Sequence, residues 1–333
     1  MHIKGICINA DVDRLGGSLV RLEEDLDYFQ ECGFDGVELA ADGLDVVLGG
    51  RLNRSQVDRV RAITGRYPFA YTVHPPGRLN LAFPQRGAGG VSDLVLEKDV
   101  FAACLEFCAA VGAGVMVYHS GLIGLYEYAF GLGALPGPEE LEAARSQEVA
   151  ALRELMPLAV ELGVVVGMEN RDPHPWELAV LRRAGQPDDA LVTYHAGLTV
   201  PALLRQVTEV GHPQLGLTLD LGHLYLAAGQ CGFDYLDGVR QAAPYVRHLH
   251  AHDNFGRLGW VHTGLHSRLP YGDGDTHLPP GWGRIPHLES LAALDGYEGL
   301  YVLEILPRFR AHLAQALEST RQLIEQAQSP QGA

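Results

Sequence analysis

The sequence predicts a (β/α)8 barrel, and three observations carry that prediction. Strand-like apolar runs alternate with helix-like segments eight times along the chain. Such alternation implies parallel strands joined by right-handed crossovers. Several runs, VVVGM at 164–168 among them, have no polar face; strands covered by helices on both sides read that way. Six runs also end in a residue able to bind a metal: His74, His119, Glu169, Asp220, His250 and Glu304. A parallel barrel delivers the C-terminal ends of its strands to one face, so these endings would gather carboxylates and imidazoles in one place. A doubly wound open sheet is the alternative. It would offer one crevice rather than ligands from six strand ends, and no GxGxxG follows a strand to support a dinucleotide site.

The elements follow in order. Residues 3–8 form the first apolar run. SLVRLEEDLDYFQEC (18–32) repeats apolar positions at helical spacing, with Ser18 as N-cap and Gly33 as the stop. DGVELA (35–40) is the second strand, 54–65 the second helix and 69–74 the third strand. A long helix over 92–111 opens at Ser92, and 114–120 is the fourth strand. Pro138 and two glutamates open a helix over 138–162, followed by strand five at 164–169. Helices near 199–210, 233–242 and 284–294 lead into strands at 215–220, 246–252 and 299–305, and a helix over 309–327 closes the barrel. Three stretches, about 120–137, 171–198 and 253–283, exceed ordinary loop length. All follow strands, so they are expected as walls or a lid over the catalytic face. Residues 1–333 read as one barrel domain, with 328–333 expected to fray.

Composition narrows the function classes. The chain has 333 residues, 47% hydrophobic and 20% charged, as in ordinary globular proteins. The five cysteines form no CxxC pair. Cys104 and Cys108 share a helical face and read as buried small apolar residues, which fits a reducing cytoplasm. The N-terminal MHIKGICINADVD lacks the basic and long apolar regions of a signal peptide, and no run reaches the length of a membrane span. Net charge is −16, with Lys4 and Lys98 the only lysines and no basic patch. This disfavours nucleic acid as a partner without excluding it, because local charge decides such binding. Self-association is left open.

A bare carboxylate at the end of a buried strand is costly unless it is paired or metal-bound. Glu169 alone could pair with Arg171, but Glu169, Asp220 and Glu304 together with His250 point to a metal. A turn at Asp220-Leu-Gly-His223 would aim both polar side chains at one cavity. His248, His250 and His252 alternate and so share a strand face. His250 is the expected ligand, His252 a neighbour of ligand or substrate, and His248 structural. His74 precedes Pro-Pro and His119 precedes Ser-Gly, where strands break into loops. Asp275-Thr-His277 puts two ligand types in a loop before Gly281-Trp-Gly283. Glu38 ends strand two and reads as a substrate contact or a partner of a ligand. His2, His174, His195, His212, His262, His266 and His287 fall outside the pattern and are expected on the surface or in the lid.

The ordered set His74, His119, Glu169, Asp220-x-x-His223, His250-x-x-Asp253, Asp275-x-His277 and Glu304 resembles the xylose-isomerase-like barrel superfamily over nearly the whole chain. That superfamily includes sugar isomerases and epimerases, inosose dehydratases and endonuclease-IV-type AP endonucleases. For the epimerase-like members the resemblance implies one divalent metal (Mn, Mg or Co) on Glu169, Asp220, His250 and Glu304. The two glutamates would then move a proton at the substrate carbon. For the endonuclease-like members it implies three zincs, which also use His74, His119, His223, Asp275 and His277. The histidine-rich set favours zinc over magnesium. Two features depart from the nuclease pattern: the D-T-C-H-like segment is Asp220-Leu-Gly-His223, and the insertions are rich in Gly, Pro and aromatics rather than basic residues. The epimerase branch supplies an arginine after the strand-seven histidine, and Arg257 lies near that place. Glu38, His252 and Arg257 are therefore the expected substrate contacts. The reading is a divalent-metal-dependent isomerase or epimerase acting on a small carbohydrate-like molecule; the alternative is a phosphodiesterase of AP-endonuclease type with a multinuclear zinc site. A non-catalytic barrel is the third option, and the carboxylates at three strand ends argue against it.

Overall fold

The computed structural model describes residues 1–84, 93–259 and 264–329. Eight parallel strands close into a barrel: β1 (His2–Ala10), β2 (Gly36–Ala40), β3 (Ala70–His74), β4 (Val115–His119), β5 (Val165–Glu169), β6 (Leu215–Asp220), β7 (Val246–Ala251) and β8 (Glu298–Leu303). Each pairs with the next, and β1 pairs with β8. Around them run α1 (Leu19–Cys32), α2 (Arg54–Thr64), α3 (Leu94–Val111), α4 (Pro138–Leu162), α5 (Pro175–Arg183), α6 (Val200–Val210), α7 (Leu221–Cys231), α8 (Tyr235–Ala242), α9 (His287–Ala293) and α10 (Leu313–Gln328). The expected fold is the observed one.

Local chemistry sets most boundaries. Ser18 Oγ accepts from the Arg21 N–H at 3.4 Å, and Gly33 ends α1 at φ 87°. The glycine is needed because this left-handed backbone is strained for other residues. In α4 Pro138 stands at the first position, and Glu140 reaches back to the Gly137 N–H at 2.7 Å. α3 begins two residues later than expected, capped by Asp93 accepting from Leu96 N–H at 3.0 Å; the anticipated cap, Ser92, lies outside the described residues.

Inside the barrel the packing is close. Every residue of β6 is buried, including Asp220. A Cβ on Gly36 would lie 2.4 Å from the Ala70 carbonyl oxygen and 2.6 Å from Cys7 Sγ, so only glycine lets β2 sit against its neighbours.

Two helices depart from the sequence reading. The Asp220–His223 segment is no turn but the start of α7, with Asp220 as N-cap accepting from His223 N–H at 2.6 Å. LGHLYLAAGQC hides this helix because seven of its residues are buried, leaving little polar face to betray a 3.6-residue period. The 171–198 stretch likewise contains α5 and short turns. Gln328, expected to fray, is the last residue of α10; residues 330–333 lie outside the described ones. No helix among the described residues is long and apolar enough to cross a membrane.

Candidate metal centre at the barrel mouth

Strand register assembles the site. His119 pairs with Glu169 across β4 and β5, Asp220 with His250 across β6 and β7, and Glu38 with Thr72 across β2 and β3. Among the described residues four groups result, each with donor atoms mutually within 4.8 Å: Glu169, Asp220, His250 and Glu304; His74, His119 and Glu169; His223, His252, Asp275 and His277; and Glu38, His248 and His250. All nine residues expected to hold metal fall in the first three groups.

Three histidines share one mode of anchoring. Nδ1 lies 2.7 Å from the Pro75 carbonyl in His74, 3.1 Å from the Asn170 carbonyl in His223 and 2.9 Å from the Glu304 carbonyl in His277. A carbonyl only accepts, so Nδ1 carries a proton, and each ring offers an Nε2 lone pair once Nε2 has shed its own. Histidine ligands to metals are held in this way. Nε2 faces Glu169 Oε2 at 3.7 Å in His74, and Asp275 Oδ2 at 3.6 Å in His223 and 2.5 Å in His277. His277 takes a left-handed backbone (φ 42°), a conformation costing on the order of 1–3 kcal/mol that clusters at functional sites.

His250 is anchored the other way round. Its Nε2 faces Glu38 Oε1 at 3.1 Å, and its Nδ1 faces Glu169 Oε1 at 2.9 Å and Glu304 Oε1 at 3.3 Å. Glu38 also accepts from Thr72 Oγ1 at 2.9 Å and lies 3.1 Å from His248 Nε2. Glu38 is thus the partner behind a candidate ligand, and His248 is fully buried beside it.

Glu169 is two-sided. Oε1 faces His250, while Oε2 faces His119 Nε2 at 2.7 Å and His74. Burial works to raise its carboxyl, but the imidazoles of His119 and His250 overcome this and hold it well below the usual carboxylate range. Glu304 goes the other way: burial raises it, His250 only partly offsets that, and the Glu169 charge adds to the rise. Burial disfavours a charged His74 and His277, yet the neighbouring carboxylates raise them to about 9 and about 10.

A cavity of about 310 Å³ opens onto the site, within the size range of small-molecule pockets. Glu304, Glu38, His74, His119, His223 and His277 line it, together with Asp11, Asp42, Asp172 and Arg171; Glu169 does not. Apart from the imidazoles, Arg171 is the only cationic side chain among the described lining residues. Arg171 makes no ion pair with Glu169; it donates to the Ser120 and Gly77 carbonyls.

Several expectations need correction. Arg257 does not reach the site: its side chain is 63% exposed and pairs with Asp273 at 3.3 Å, where a backbone bridge joins the same two residues. His252 is fully buried and does not line the cavity; its Nε2 lies 3.2 Å from Asp220 Oδ1 and 3.4 Å from Asp275 Oδ1. His195 and His287 are buried rather than superficial, beside Glu177 and Asp253. His262 lies outside the described residues.

Two residues brace the site in a role the sequence reading did not assign, although Asp253 stood in the ordered set. Asn170 exchanges two 2.9 Å hydrogen bonds with the Asp220 backbone while its own carbonyl anchors His223. Asp253 accepts from the Gly281 N–H at 2.8 Å and the Ile285 N–H at 3.2 Å, tying down the loop that bears Asp275 and His277. Their one signal was position, directly after Glu169 and three residues after His250.

The donor set fits divalent cations. Glu169 Oε2, Asp220 Oδ2, Asp275 Oδ1 and both ring nitrogens of His252 are buried without a hydrogen bond of acceptable geometry. Buried polar atoms of this kind call for a partner, and mixed carboxylate and imidazole donors suit zinc and its neighbours in the transition series.

The model of the xylose isomerase-like TIM barrel family matches residues 26–326. The chain belongs to this family. An uncharacterized protein of Methanocaldococcus jannaschii is 24% identical over 300 residues, 86% of this chain and 81% of that one. Among solved structures, the chain is similar to a D-tagatose 3-epimerase-like protein at 19% identity and TM-score 0.67, covering 98% of this chain and 100% of that one. It is also similar to the IOLI protein with a bound zinc atom (18%, TM-score 0.64, covering 98% and 100%) and to D-psicose 3-epimerase in the presence of D-fructose (15%, TM-score 0.62, covering 96% and 99%). At these identities the likeness is one of fold. Within the xylose isomerase-like family the barrel mouth described above is the place where chemistry is to be sought.

Proposed function

We propose that this chain is a divalent-metal-dependent isomerase or epimerase acting on a small carbohydrate-like substrate. The observation that carries the reading is the cavity of about 310 Å³ with Glu304 on its wall and the Glu169–Asp220–His250–Glu304 cage beside it. Its lining is acidic, with Arg171 as the one fixed cation among the described lining residues. That suits a compact neutral hydroxy-carbonyl compound better than a phosphate backbone. The fold likeness to sugar epimerases points the same way.

Glu169, Asp220, His250 and Glu304 would hold a cation, which supplies Lewis-acid polarisation of substrate oxygens when bound. The proton-transfer role falls first on Glu304. Its carboxyl is raised and it reaches the cavity, so it can exchange a proton with a carbon next to a carbonyl. Opposite shifts in paired carboxylates mark a division of labour. Glu169 stays ionised, with both oxygens facing imidazoles. Its first part is to bind and to fix charge, and it stands second to Glu304 for the proton-transfer role expected of both.

A second reading has its own support. Glu169 turns one oxygen to each of two donor groups, and a third group adjoins across Asp220. A carboxylate so placed suits a multinuclear site of the kind that hydrolyses phosphodiesters. One experiment separates the two. The metal-loaded protein is incubated with a panel of ketoses in deuterated water and, separately, with abasic-site DNA at low salt. Deuterium incorporated beside the carbonyl, lost at least 100-fold in Glu304→Gln, supports the isomerase. Nicking of the DNA with no exchange on any ketose sinks it in favour of the hydrolase.

A further inference from the structure

Within the metal-dependent reading on which it rests, we infer that His252 is a fourth protein ligand that closes the His223–Asp275–His277 group into a structural metal site. Three donors leave a coordination position for water or substrate; four do not, and the closed arrangement is the one structural zinc sites adopt.

The geometry around His252 is built for this. The ring has no exposure, and neither nitrogen makes a hydrogen bond of acceptable geometry. Nε2 is 3.4 Å from Asp275 Oδ1, and Asp275 Oδ2 is 3.6 Å from His223 Nε2. Tetrahedral zinc with bonds of 2.0–2.1 Å needs neighbouring donors about 3.3 Å apart. The ring stacks on His277 at 4.0 Å and 18°, bringing both imidazoles against the same carboxylate.

Gly222 explains how the ring fits. A Cβ there would lie 2.1 Å from His252 Cε1, 2.4 Å from Nε2 and 2.6 Å from Nδ1. Gly222 and His252 are therefore matched: the glycine inside Asp220-Leu-Gly-His223 clears the volume that the third histidine of His-Leu-His-Ala-His occupies. The four donors come from three segments, namely the first turn of α7, the exit of β7 and the Asp275–His277 loop. A closed site would clip that loop to the barrel mouth, where His277 Nδ1 meets the Glu304 carbonyl. Exchange with substrate would then be left to the ions nearer Glu304.

The test uses the full chain loaded with zinc, with release to a chromogenic chelator as readout. The wild type should retain one zinc long after the others leave. His252→Asn should release it at least tenfold faster, and His252→Cys should restore slow release. The Co(II)-loaded His252→Cys variant should also gain a thiolate-to-cobalt charge-transfer band, which a packing residue cannot produce. Release from His252→Asn at the wild-type rate, or a folded His252→Cys with no such band, overturns the assignment. A wild type that takes up no metal overturns the metal-dependent reading itself.

Discussion

Glu38→Gln tests the hydrogen-bonded frame behind His250. The carboxylate serves three donors: Thr72 Oγ1 at 2.9 Å, His248 Nε2 at 3.1 Å and His250 Nε2 at 3.1 Å. Burial alone would raise its carboxyl, but His250 and then His248 hold it well below the usual range, so it stands ionised. Glutamine keeps the shape but offers one acceptor oxygen and turns an amide N–H2 toward at least one other donor. Leaving a buried donor unpaired costs about 1–3 kcal/mol. Spread over roughly 0.7 kcal/mol/K of unfolding entropy for a chain this long, that lowers the melting temperature of the metal-free protein by about 1–4 °C. Losing the anion behind His250 should weaken metal binding about 10–100-fold, or roughly 1.4–2.7 kcal/mol. Chelator competition reads the affinity and thermal unfolding of the metal-free protein reads the stability. A lowered melting temperature with unchanged metal affinity would make Glu38 a packing residue only. No change in either would refute the reasoning.

Three further outcomes follow from the same geometry. Gly36→Ala should destabilise the barrel by about 1–3 kcal/mol, since the new Cβ meets the Ala70 carbonyl and Cys7 Sγ and the carbonyl cannot swing away; a urea midpoint equal to wild type would refute it. Burial raises the Glu148 carboxyl to about 7 against the opposing Tyr118 and Gly121 hydrogen bonds, so the folded state holds this proton more tightly than the unfolded. Its contribution is therefore complete below about pH 4.5 and lost as pH rises through about 7; Glu148→Gln should remove up to roughly 3 kcal/mol of that pH dependence, and parallel urea titrations across the window would show no difference if the shift is wrong. Metal affinity should rise between pH 6.5 and 8.5, because His74 and His277, raised to about 9 and about 10, must shed protons before their lone pairs can coordinate; calorimetric titrations with equal affinity at both values would count against their being ligands.

Much of this protein is legible in one dimension. Alternating apolar runs without a polar face specify buried parallel strands, and eight such units specify a closed barrel, because burial and chirality leave few other solutions. The same logic located His74, His119, Glu169, Asp220, His250 and Glu304, since a residue ending a barrel strand has one place to go. What needed the tertiary structure was everything set by register and loop path. α7 was hidden because a helix buried on most sides has no polar period to read. Arg257 sat at a plausible spacing, yet its side chain is exposed and pairs with Asp273. Asp253 and Asn170 work through backbone atoms that no side-chain pattern announces. The two-sided placement of Glu169 and the fit of His252 over Gly222 depend on distances between strands far apart in sequence. Periodicity states which face a residue occupies; only closure of the barrel states what it meets there.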